Sequence, residues 1–380
     1  MFNFFSSQPA FGLDISDLSL KLIQLKKTRN EIKLHASNEI QIPKGYIVSG
    51  VIKKPQEVIQ LIQKIIKTSL GNKVLSSNVI VSLPETKTFI KLIEISQVEN
   101  KKIKEAVEQE INQHIPLAKE DMYFDWQIIK RIINHQEQKI QILIGAAPKN
   151  IVDSYADVLK KAGLCPQVFE IEACAITRNL IQKEDRGPQI ILDLGASRSS
   201  LIIYNYKTIQ FSISISLSGE QITQKIASKL KITLEQAEKA KKICGCDEDK
   251  CHGVIKEILS EYLFELSEEI KKILIFHKTY FSFNGTFKEI ILCGGGSNLI
   301  GLDVYLSNQL GMTVKREIPW IFKVQCFNHQ KQTFKSLVYD FFFQSMFSKK
   351  IKSCPFSEDK FTSYATVIGL ALRGIMDLEE

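Results

Sequence analysis

Two segments about half a chain apart share one pattern of apolar and polar positions. Residues 11–23 read FGLDISDLSLKLI, and residues 190–203 read IILDLGASRSSLII. In each, an apolar strand leads to an Asp, then to a turn of small and hydroxyl residues, then to a second strand. Alternation with a period of two around such a turn is typical of a β-hairpin. The repetition predicts two related lobes, each with one hairpin.

Between the two hairpins the pattern predicts a separate folding unit. A strand over 88–95, a helix over 99–114, two strands over 122–133 and 139–147, and a helix over 150–162 give the order β-α-β-β-α. This order predicts a compact domain inserted into the first lobe.

The remaining segments complete an α/β chain. Apolar periodicity predicts helices over 55–70, 220–230 and 253–280, and a helix of small and apolar residues over 364–374. The turn at 185–188 contains Gly and Pro and marks a lobe boundary. The predicted division is 10–84 plus 166–185 for the first lobe, 85–165 for the insert and 186–376 for the second lobe.

The composition narrows the classes of function. The chain has 380 residues, of which 44% are hydrophobic and 24% charged, and its net charge is +8. Its Lys and Arg residues are scattered, so no basic patch for nucleic acid is expected. No apolar run reaches the roughly 18 residues that a membrane span requires. Residues 1–5 lack the basic start of a signal peptide, and we expect a cytoplasmic protein.

The hairpin tips carry the candidate chemistry. Small residues let several backbone N–H groups converge, and such a nest binds phosphate oxygens. Two facing tips would hold a phosphate chain between the lobes, where Asp14 and Asp193 would bind a divalent cation, with Mg²⁺ held through water. The alternative is that each Asp only stabilises its own turn. The repetition of the motif favours the ligand hypothesis.

A run of glycines extends this hypothesis. Gly294, Gly295 and Gly296, followed by Ser297, come directly after a predicted strand. Glycines at such a position let the main chain approach a flat ring or a ribose. Tight packing explains a triple glycine equally well, so the position after both hairpins is what favours binding.

Three other residues are candidates. Gly219, just before a predicted helix, is a candidate nucleotide-binding residue, and Lys225 in that helix is either a nucleotide contact or a solvated surface residue. Glu172 begins the helix that connects the lobes. A carboxylate there either orients a water molecule in phosphoryl transfer or simply suits the positive end of a helix dipole.

The roles of two further features, a Cys/His cluster and a Phe-rich stretch, are not decided by the sequence. Cys244, Cys246, Cys251 and His252 supply four ligands of the kind that Zn²⁺ prefers. Their spacing is tighter than in common structural zinc sites, and the acidic residues 247–249 interrupt it. The Phe-rich stretch 320–360 is either an additional interface or part of the core of an elaborated lobe.

The order of hairpin, insert, connecting helix, second hairpin, long helix and glycine run resembles the actin-like ATPase superfamily. The insert resembles the SHS2-type domain of the cell-division protein FtsA and of PilM-like pilus-assembly proteins, and the PilM-like family is the closer match. The segments that carry the resemblance are 12–15, 19–22, 110–116, 146–163, 168–175, 193–200, 294–301 and 365–373. The resemblance implies an actin-like (ribonuclease H-like) two-lobed α/β fold.

This resemblance also implies a function. PilM-like proteins are cytoplasmic components of the inner-membrane platform of type IV pili, and they associate with the membrane only through partners. They bind ATP between the lobes, and they bind the N-terminal cytoplasmic peptide of the membrane protein PilN in a groove involving the insert. The residues implied by position are Asp14, Ser16, Ser19 and Lys21 in the first phosphate turn, Asp193, Gly195, Ala196 and Ser197 in the second, and Gly294, Gly295, Gly296 and Ser297 at the adenosine.

The sequence departs from the family pattern at Ser16 and Asp17, where a Gly and a small residue are usual. Asp17 adds a negative charge near the phosphates, which argues against tight ATP binding. Glu172 is the only evident residue for positioning water, so slow or absent turnover is expected. Hydrolysis, self-association and the sequence of the partner peptide are left open.

Three alternative functions are retained: an FtsA-like cell-division protein, a type II secretion platform protein and a small-molecule kinase of the same superfamily. An FtsA-like protein is expected to carry an amphipathic membrane helix, which the acidic residues 377–380 do not match. A kinase needs a phosphoryl acceptor site with a placed base, and no second constellation of that kind is evident.

Overall fold

The computed structural model describes residues 9–28, 32–96, 98–133, 138–181, 187–281, 285–317 and 358–376. The strands are β1 (Phe11–Ile15), β2 (Ser19–Lys27), β3 (Ile32–Gln41), β4 (Ile47–Val48), β5 (Val51–Ile52), β6 (Leu70–Gly71), β7 (Asn78–Leu83), β8 (Phe89–Ser96), β9 (Met122–Ile133), β10 (Gln138–Pro148), β11 (Cys165–Ile171), β12 (Gln189–Leu194), β13 (Ser199–Asn205), β14 (Thr208–Ile215), β15 (Glu289–Cys293) and β16 (Thr313–Arg316). The α-helices are α1 (Pro55–Lys67), α2 (Ile103–His114), α3 (Lys149–Lys161), α4 (Glu172–Leu180), α5 (Gly219–Leu230), α6 (Leu234–Cys244), α7 (Val254–Tyr280), α8 (Leu302–Leu310), α9 (Glu358–Phe361) and α10 (Ala365–Met376). Within the described ranges, no helix has the length and hydropathy needed to cross a bilayer.

The first lobe is built on a six-stranded sheet in the order β11-β7-β1-β2-β3-β6. β1 and β2 form the first predicted hairpin, in which Asp14 stands opposite Lys21. α1 covers one face of this sheet. It begins at Pro55, whose missing N–H is harmless in the first turn of a helix. Its residues Val58 and Ile62 are fully buried in the core of the lobe.

Helix α3 packs in the same core. Its residues Ile151, Tyr155 and Leu159 are buried with those of α1 and the first sheet. The sequence division gave this helix to the insert (85–165), because it follows β10 directly. The packing instead favours an insert that ends at Pro148, and we propose that boundary.

The second lobe is built on an eight-stranded sheet in the order β16-β15-β12-β13-β14-β8-β10-β9. β12 and β13 form the second predicted hairpin, in which Asp193 stands opposite Ser200. Helices α5 to α8 contribute buried residues to one core with this sheet. The long helix predicted over 253–280 is observed as α7, whose buried residues, including Leu259, Leu266 and Ile270, recur at helical spacing.

The insert contributes three strands to this second sheet. α2 packs on the sheet of the insert, where Val107 of α2 and Ile140 of β10 are buried in one core. β8 pairs with β14 through Lys91 and Phe211, so the sheet of the insert continues that of the second lobe. The insert therefore leaves the first lobe after β7, joins the second lobe at β14, and returns to the first lobe with α3.

Helices α4 and α10 pack against each other between the two sheets. Ile176 of α4 is buried with residues of the second sheet, whereas Val367 of α10 is buried with residues of β2. The two helices are so close that a Cβ at Gly369 would lie 1.9 Å from the carbonyl oxygen of Ala175. The sequence division placed α10 in the second lobe (186–376), but its packing on β1 and β2 favours the first lobe.

A buried carboxylate joins three of these elements. Glu170 of β11 accepts a hydrogen bond from Arg178 of α4 and another from Arg373 of α10, each at 2.7 Å. Arg178 also donates to the carbonyl oxygen of Gly369 at 3.0 Å. Burial of an unpaired carboxylate is costly, so the two guanidinium groups are what make this position tolerable for Glu170. The network fixes β11, α4 and α10 relative to one another.

Candidate functional site

The first hairpin gathers four of the predicted residues at its tip. An oxygen of the Asp14 carboxylate accepts a hydrogen bond from the hydroxyl of Ser82 at 2.8 Å. The backbone N–H of Ser16 donates to the carbonyl of Ser19, and the two hydroxyl oxygens lie 3.0 Å apart. The ammonium of Lys21 donates to the hydroxyl of Ser19 at 3.3 Å. Hydroxyls, a carboxylate and an ammonium group therefore lie together at the end of β1 and β2.

The second hairpin ends in a tight turn over 195–198. A Cβ at Gly195 would lie 2.4 Å from the carbonyl oxygen of Arg198, so the turn requires glycine there. The N–H of Gly219 donates to the carbonyl of Gly195 at 3.1 Å, and the N–H of Glu220 donates to the carbonyl of Ala196 at 2.8 Å. The first amides of α5 are thus bonded to the turn, so Gly219, which the sequence predicts as a nucleotide-binding residue, supports the turn through its backbone N–H.

The two hairpin tips meet where the lobes adjoin, since Arg198 of the second turn lies 3.6 Å from Asp17 of the first. Burial raises the pKa of Asp193 to about 6, and the negative charge of Asp14 adds to this effect. The cations Lys21 and Arg198 oppose it. In the described part of the chain, no three or more His, Cys, Asp or Glu side chains form a metal site. A cation between Asp14 and Asp193 would therefore take its other ligands from water and phosphate, as Mg²⁺ commonly does.

Packing explains two of the three glycines after β15. A Cβ at Gly294 would lie 2.3 Å from a carboxylate oxygen of Asp193, and one at Gly296 would lie 2.9 Å from the carbonyl oxygen of Leu194. At Gly295 the nearest atom would be 3.9 Å away, which is ordinary contact distance. Gly295 is thus the member of the triplet whose exposed backbone a ligand could approach.

Two other predicted residues have partners within the protein. Ser297 is buried, and its hydroxyl donates to the carbonyl of Gly294 at 2.7 Å, which closes the glycine turn. The ammonium of Lys225 lies 2.6 Å from the carboxylate of Glu261 on α7. Both contacts account for the side chains without a ligand.

Arg198 connects the second hairpin to the first lobe. One terminal nitrogen, Nη2, donates to Oε1 of Glu172 at 2.8 Å, and the other, Nη1, lies 3.6 Å from Oδ1 of Asp17. The carboxylate of Asp17 also accepts hydrogen bonds from the N–H groups of Ser49 and Gly50, both at 2.9 Å. The charge of Asp17 is therefore balanced by protein groups, and Glu172 is paired with a cation.

Burial dominates the electrostatics of this region. It raises the pKa of Glu172 to about 8, against the effect of Arg198, and Asp14 contributes in the same direction as burial. It also raises the pKa of Glu85, one of whose oxygens accepts a hydrogen bond from the hydroxyl of Ser212. Without a bound cation, the site therefore concentrates buried carboxyl groups that resist full ionisation.

The model of the family described as type IV pilus assembly protein PilM matches residues 12–322 of this chain. The chain belongs to this family. Among solved structures, it is similar to the PilM-PilN type IV pilus biogenesis complex, with 23% identity and a TM-score of 0.75 over 97% of this chain and 98% of that chain. It is also similar to the ethanolamine utilization protein EutJ from Carboxydothermus hydrogenoformans, with 13% identity and a TM-score of 0.55 over 98% and 92% of the two chains. These likenesses confirm the predicted actin-like two-lobed fold.

Sequence reasoning missed several residues of the site in this PilM-family chain. Arg198 is one of them, and the sequence contained a signal for it, because it is the one charged residue in the turn sequence GASRSS. Ser82 bonds Asp14 from the end of β7. Tyr155 of α3 donates its hydroxyl to the carbonyl of Gly50 at 3.1 Å. These contacts join residues far apart in sequence, and no local spacing predicts them.

The proposed zinc ligands do not assemble in this PilM-family chain. Cys244 and Cys251 form a disulfide, so their sulfurs are not available as thiolates. Cys246 is buried, and burial raises the pKa of its thiol to about 12. The Phe-rich stretch 320–360 lies outside the described residues except for its last three positions.

The buried carboxyl group of Asp193 should make stability fall as the pH rises. Its folded pKa of about 6 lies above its ordinary 3.8, so the folded state binds more protons than the unfolded state between these values. Stability attributable to this group is full below about pH 4 and decreases until about pH 6, by up to about 3 kcal/mol. Thermal melts of the nucleotide-free protein in EDTA should therefore show a wild-type Tm that falls relative to that of Asp193→Asn as the pH rises from 4.5 to 7.

The comparison of wild type with Asp193→Asn separates the effect of Asp193 on stability from that of groups that lose stability at low pH. Burial lowers the pKa of His277, so acid favours the unfolded chain at that position in both proteins. Because His277 is common to both, its contribution cancels in the difference. A Tm difference that stays constant with pH would show that Asp193 titrates normally.

Proposed function

We propose that this PilM-family chain is an ATP-binding scaffold of the type IV pilus assembly platform, located in the cytoplasm and held at the inner membrane through its partners. The observation that carries the proposal is that the two hairpin tips meet, with Arg198 of the second turn 3.6 Å from Asp17 of the first, so that each hairpin brings one Asp, Asp14 or Asp193, to the junction. Two carboxylates that repel each other in the absence of a cation suit a bound Mg²⁺ with a polyphosphate.

The residues at the two tips fit such a ligand. Ser16, Ser19 and Lys21 supply hydroxyl and ammonium donors on one side. The turn over 195–198 supplies small residues and backbone groups on the other. Asp14 and Asp193 would hold Mg²⁺ through water, and the cation would neutralise phosphate charge. Gly295 offers open backbone for the nucleoside.

Slow or absent ATP turnover follows from the state of Glu172. A residue that activates water needs a carboxylate free to accept a proton or a hydrogen bond. Glu172 is instead bonded to Arg198 at 2.8 Å, and burial raises its pKa. We therefore propose a clamp that binds nucleotide rather than an efficient ATPase.

The partner we propose is the N-terminal cytoplasmic peptide of a PilN-like membrane protein. The PilM-PilN complex to which this chain is similar supports a partner of this kind. β9 ends the order of the eight-stranded sheet, and it carries the half-exposed Tyr123 and the partly buried Trp126. An extended peptide can add to such an edge and place side chains against aromatic residues.

Three measurements on the full chain test the proposal. Nucleotide released from the purified protein is identified by chromatography, and Mg²⁺-ATP is titrated by calorimetry. Retained ATP is expected for a clamp, whereas ADP would indicate turnover. Fluorescence anisotropy with a labelled peptide from the cytoplasmic end of the PilN-like protein of the same organism should show saturable binding. Failure of both titrations would refute the proposal.

A further inference from the structure

The turn between β4 and β5 lies where the two ends of the insert meet. Ser49 and Gly50 form this turn, and both have left-handed φ angles, of 49° and 76°. A Cβ at Gly50 would lie 2.5 Å from the ring of Pro84, immediately before the insert begins. The carbonyl of Gly50 accepts a hydrogen bond from Tyr155 of α3, just after the insert ends. The turn therefore contacts the chain on both sides of the insert.

The same turn is bonded to the phosphate site through Asp17. This carboxylate accepts hydrogen bonds from the N–H groups of Ser49 and Gly50, and it lies 3.6 Å from Nη1 of Arg198. Asp17 and Arg198 thus form a bridge from the second hairpin turn to the base of the insert.

Arg198 has unused hydrogen-bonding capacity at this point. Its Nη1 atom is buried and has no hydrogen-bond partner among the described residues. The 3.6 Å separation from Asp17 is an ion pair without a good hydrogen bond. A phosphate oxygen beside the turn over 195–198 would supply the missing acceptor, and guanidinium groups bind phosphate with strong, directional hydrogen bonds.

We propose that Arg198 is a phosphate contact that Asp17 holds before nucleotide binds, and that its transfer to a nucleotide phosphate changes the Ser49–Gly50 turn and helix α3, which directly follows the insert. This inference rests on the proposed ATP site and adds a route from that site to the base of the insert, which we propose receives the partner peptide. Arg198 gives up a weak contact and gains a strong one, while Nη2 keeps its bond to Glu172. Asp17 then retains only the two N–H groups of the turn.

The coupling is reciprocal. If nucleotide phosphate and the insert bias the same contact, a partner that fixes the insert must change nucleotide affinity by the same factor as nucleotide changes partner affinity. The presence of Asp17, where the family pattern has a small residue, then has a role. A small residue there could not hold Arg198 in the nucleotide-free protein.

Calorimetric titration of the full chain with Mg²⁺-ATP distinguishes this role from a purely structural one. Arg198→Gln should weaken binding by about 10-fold or more, because it removes a charged hydrogen bond. Asp17→Asn should strengthen binding, because it no longer competes for the guanidinium. Lys161→Gln, which removes an exposed surface charge paired with Asp157, should leave affinity unchanged. A structural role would weaken binding in both site variants.

Hydrogen exchange supplies a second readout. Adding Mg²⁺-ATP to the wild type should change exchange at residues 45–53 and 149–161. Tyr155→Phe should keep the wild-type ATP affinity and the change at 45–53 but lose the change at 149–161. If Asp17→Asn does not fold, the comparison of wild type with Tyr155→Phe still tests the route.

The outcomes separate this inference from the function on which it rests. If the wild type binds no Mg²⁺-ATP, the proposed function fails and the inference fails with it. If the wild type binds, the inference alone is overturned by weaker binding in Asp17→Asn, or by exchange changes that do not reach residues 149–161.

Discussion

Asp193→Asn should lower the affinity for Mg²⁺-ATP by about 100-fold, the upper range for residues that hold a metal through its outer shell. The substitution removes one of the two carboxylates proposed to hold the cation, so only Asp14 remains to bind it. The same change should stabilise the nucleotide-free protein at pH 7.5, because it removes a buried carboxyl group whose ionisation is opposed by burial and by Asp14. Calorimetry with and without EDTA, together with thermal melts, measures both effects.

Asp157→Asn is the matched control, because this carboxylate lies on the exposed side of α3 and pairs with Lys161. It should change neither affinity nor stability appreciably. Unchanged Mg²⁺-ATP binding in Asp193→Asn would place the cation elsewhere. Loss of stability together with unchanged Mg²⁺-ATP binding in Asp193→Asn would show that Asp193 serves the turn alone, which was the alternative from the sequence.

Gly369→Ala should destabilise the protein by about 3 kcal/mol, at the upper end of the usual cost of overpacking. The new Cβ would lie 1.9 Å from the carbonyl oxygen of Ala175, so α10 and α4 must move apart. Neither can move freely, because Glu170 binds arginines from both helices. The intrinsic preference of helices for Ala over Gly, about 1 kcal/mol, is too small to compensate. Chemical denaturation in urea measures the loss.

Gly145→Ala provides a comparison with the same chemical change. There the nearest atom to the new Cβ is the terminal methyl of Ile171 at 3.2 Å, which can rotate away. We expect a loss of less than about 1 kcal/mol at this position. Equal stabilities for the two variants would mean that the contact between α4 and α10 adapts more easily than its geometry indicates.

The hairpins, the order of elements and the long helix could be predicted from the sequence because each depends on local periodicity. The assignment of α3 and α10 to lobes could not. An amphipathic pattern identifies the buried face of a helix, but it does not identify the sheet on which that face packs. In both cases proximity along the chain suggested one lobe, and packing in three dimensions favoured the other.

The candidate site likewise has residues whose proximity could be predicted from the sequence and residues whose contacts could not. Asp14, Ser16 and Ser19 share one turn, so their proximity follows from the hairpin alone. The contacts of Arg198 with Asp17 and Glu172 depend on how two lobes meet, and one sequence contains no signal for that distance. The sequence identified the charge at Asp17 as a departure from the family pattern, but the partners of this charge could be known only from the structure.

Family membership favours the pilus interpretation over the FtsA-like, secretion and kinase alternatives. It does not decide between a nucleotide clamp and an ATPase. We propose that this difference depends on Glu172, because release of its carboxylate from Arg198 would give the proposed site a group able to position water.

The continuous sheet from the second lobe into the insert has a mechanical consequence. β8 is hydrogen-bonded to β14, while α3 is buried in the first lobe. A pull on a peptide bound at β9 would therefore load both lobes at once, the second through the pairing of β8 with β14 and the first through α3. Tension from a membrane-anchored partner would then act on both sides of the proposed nucleotide site rather than on one lobe alone.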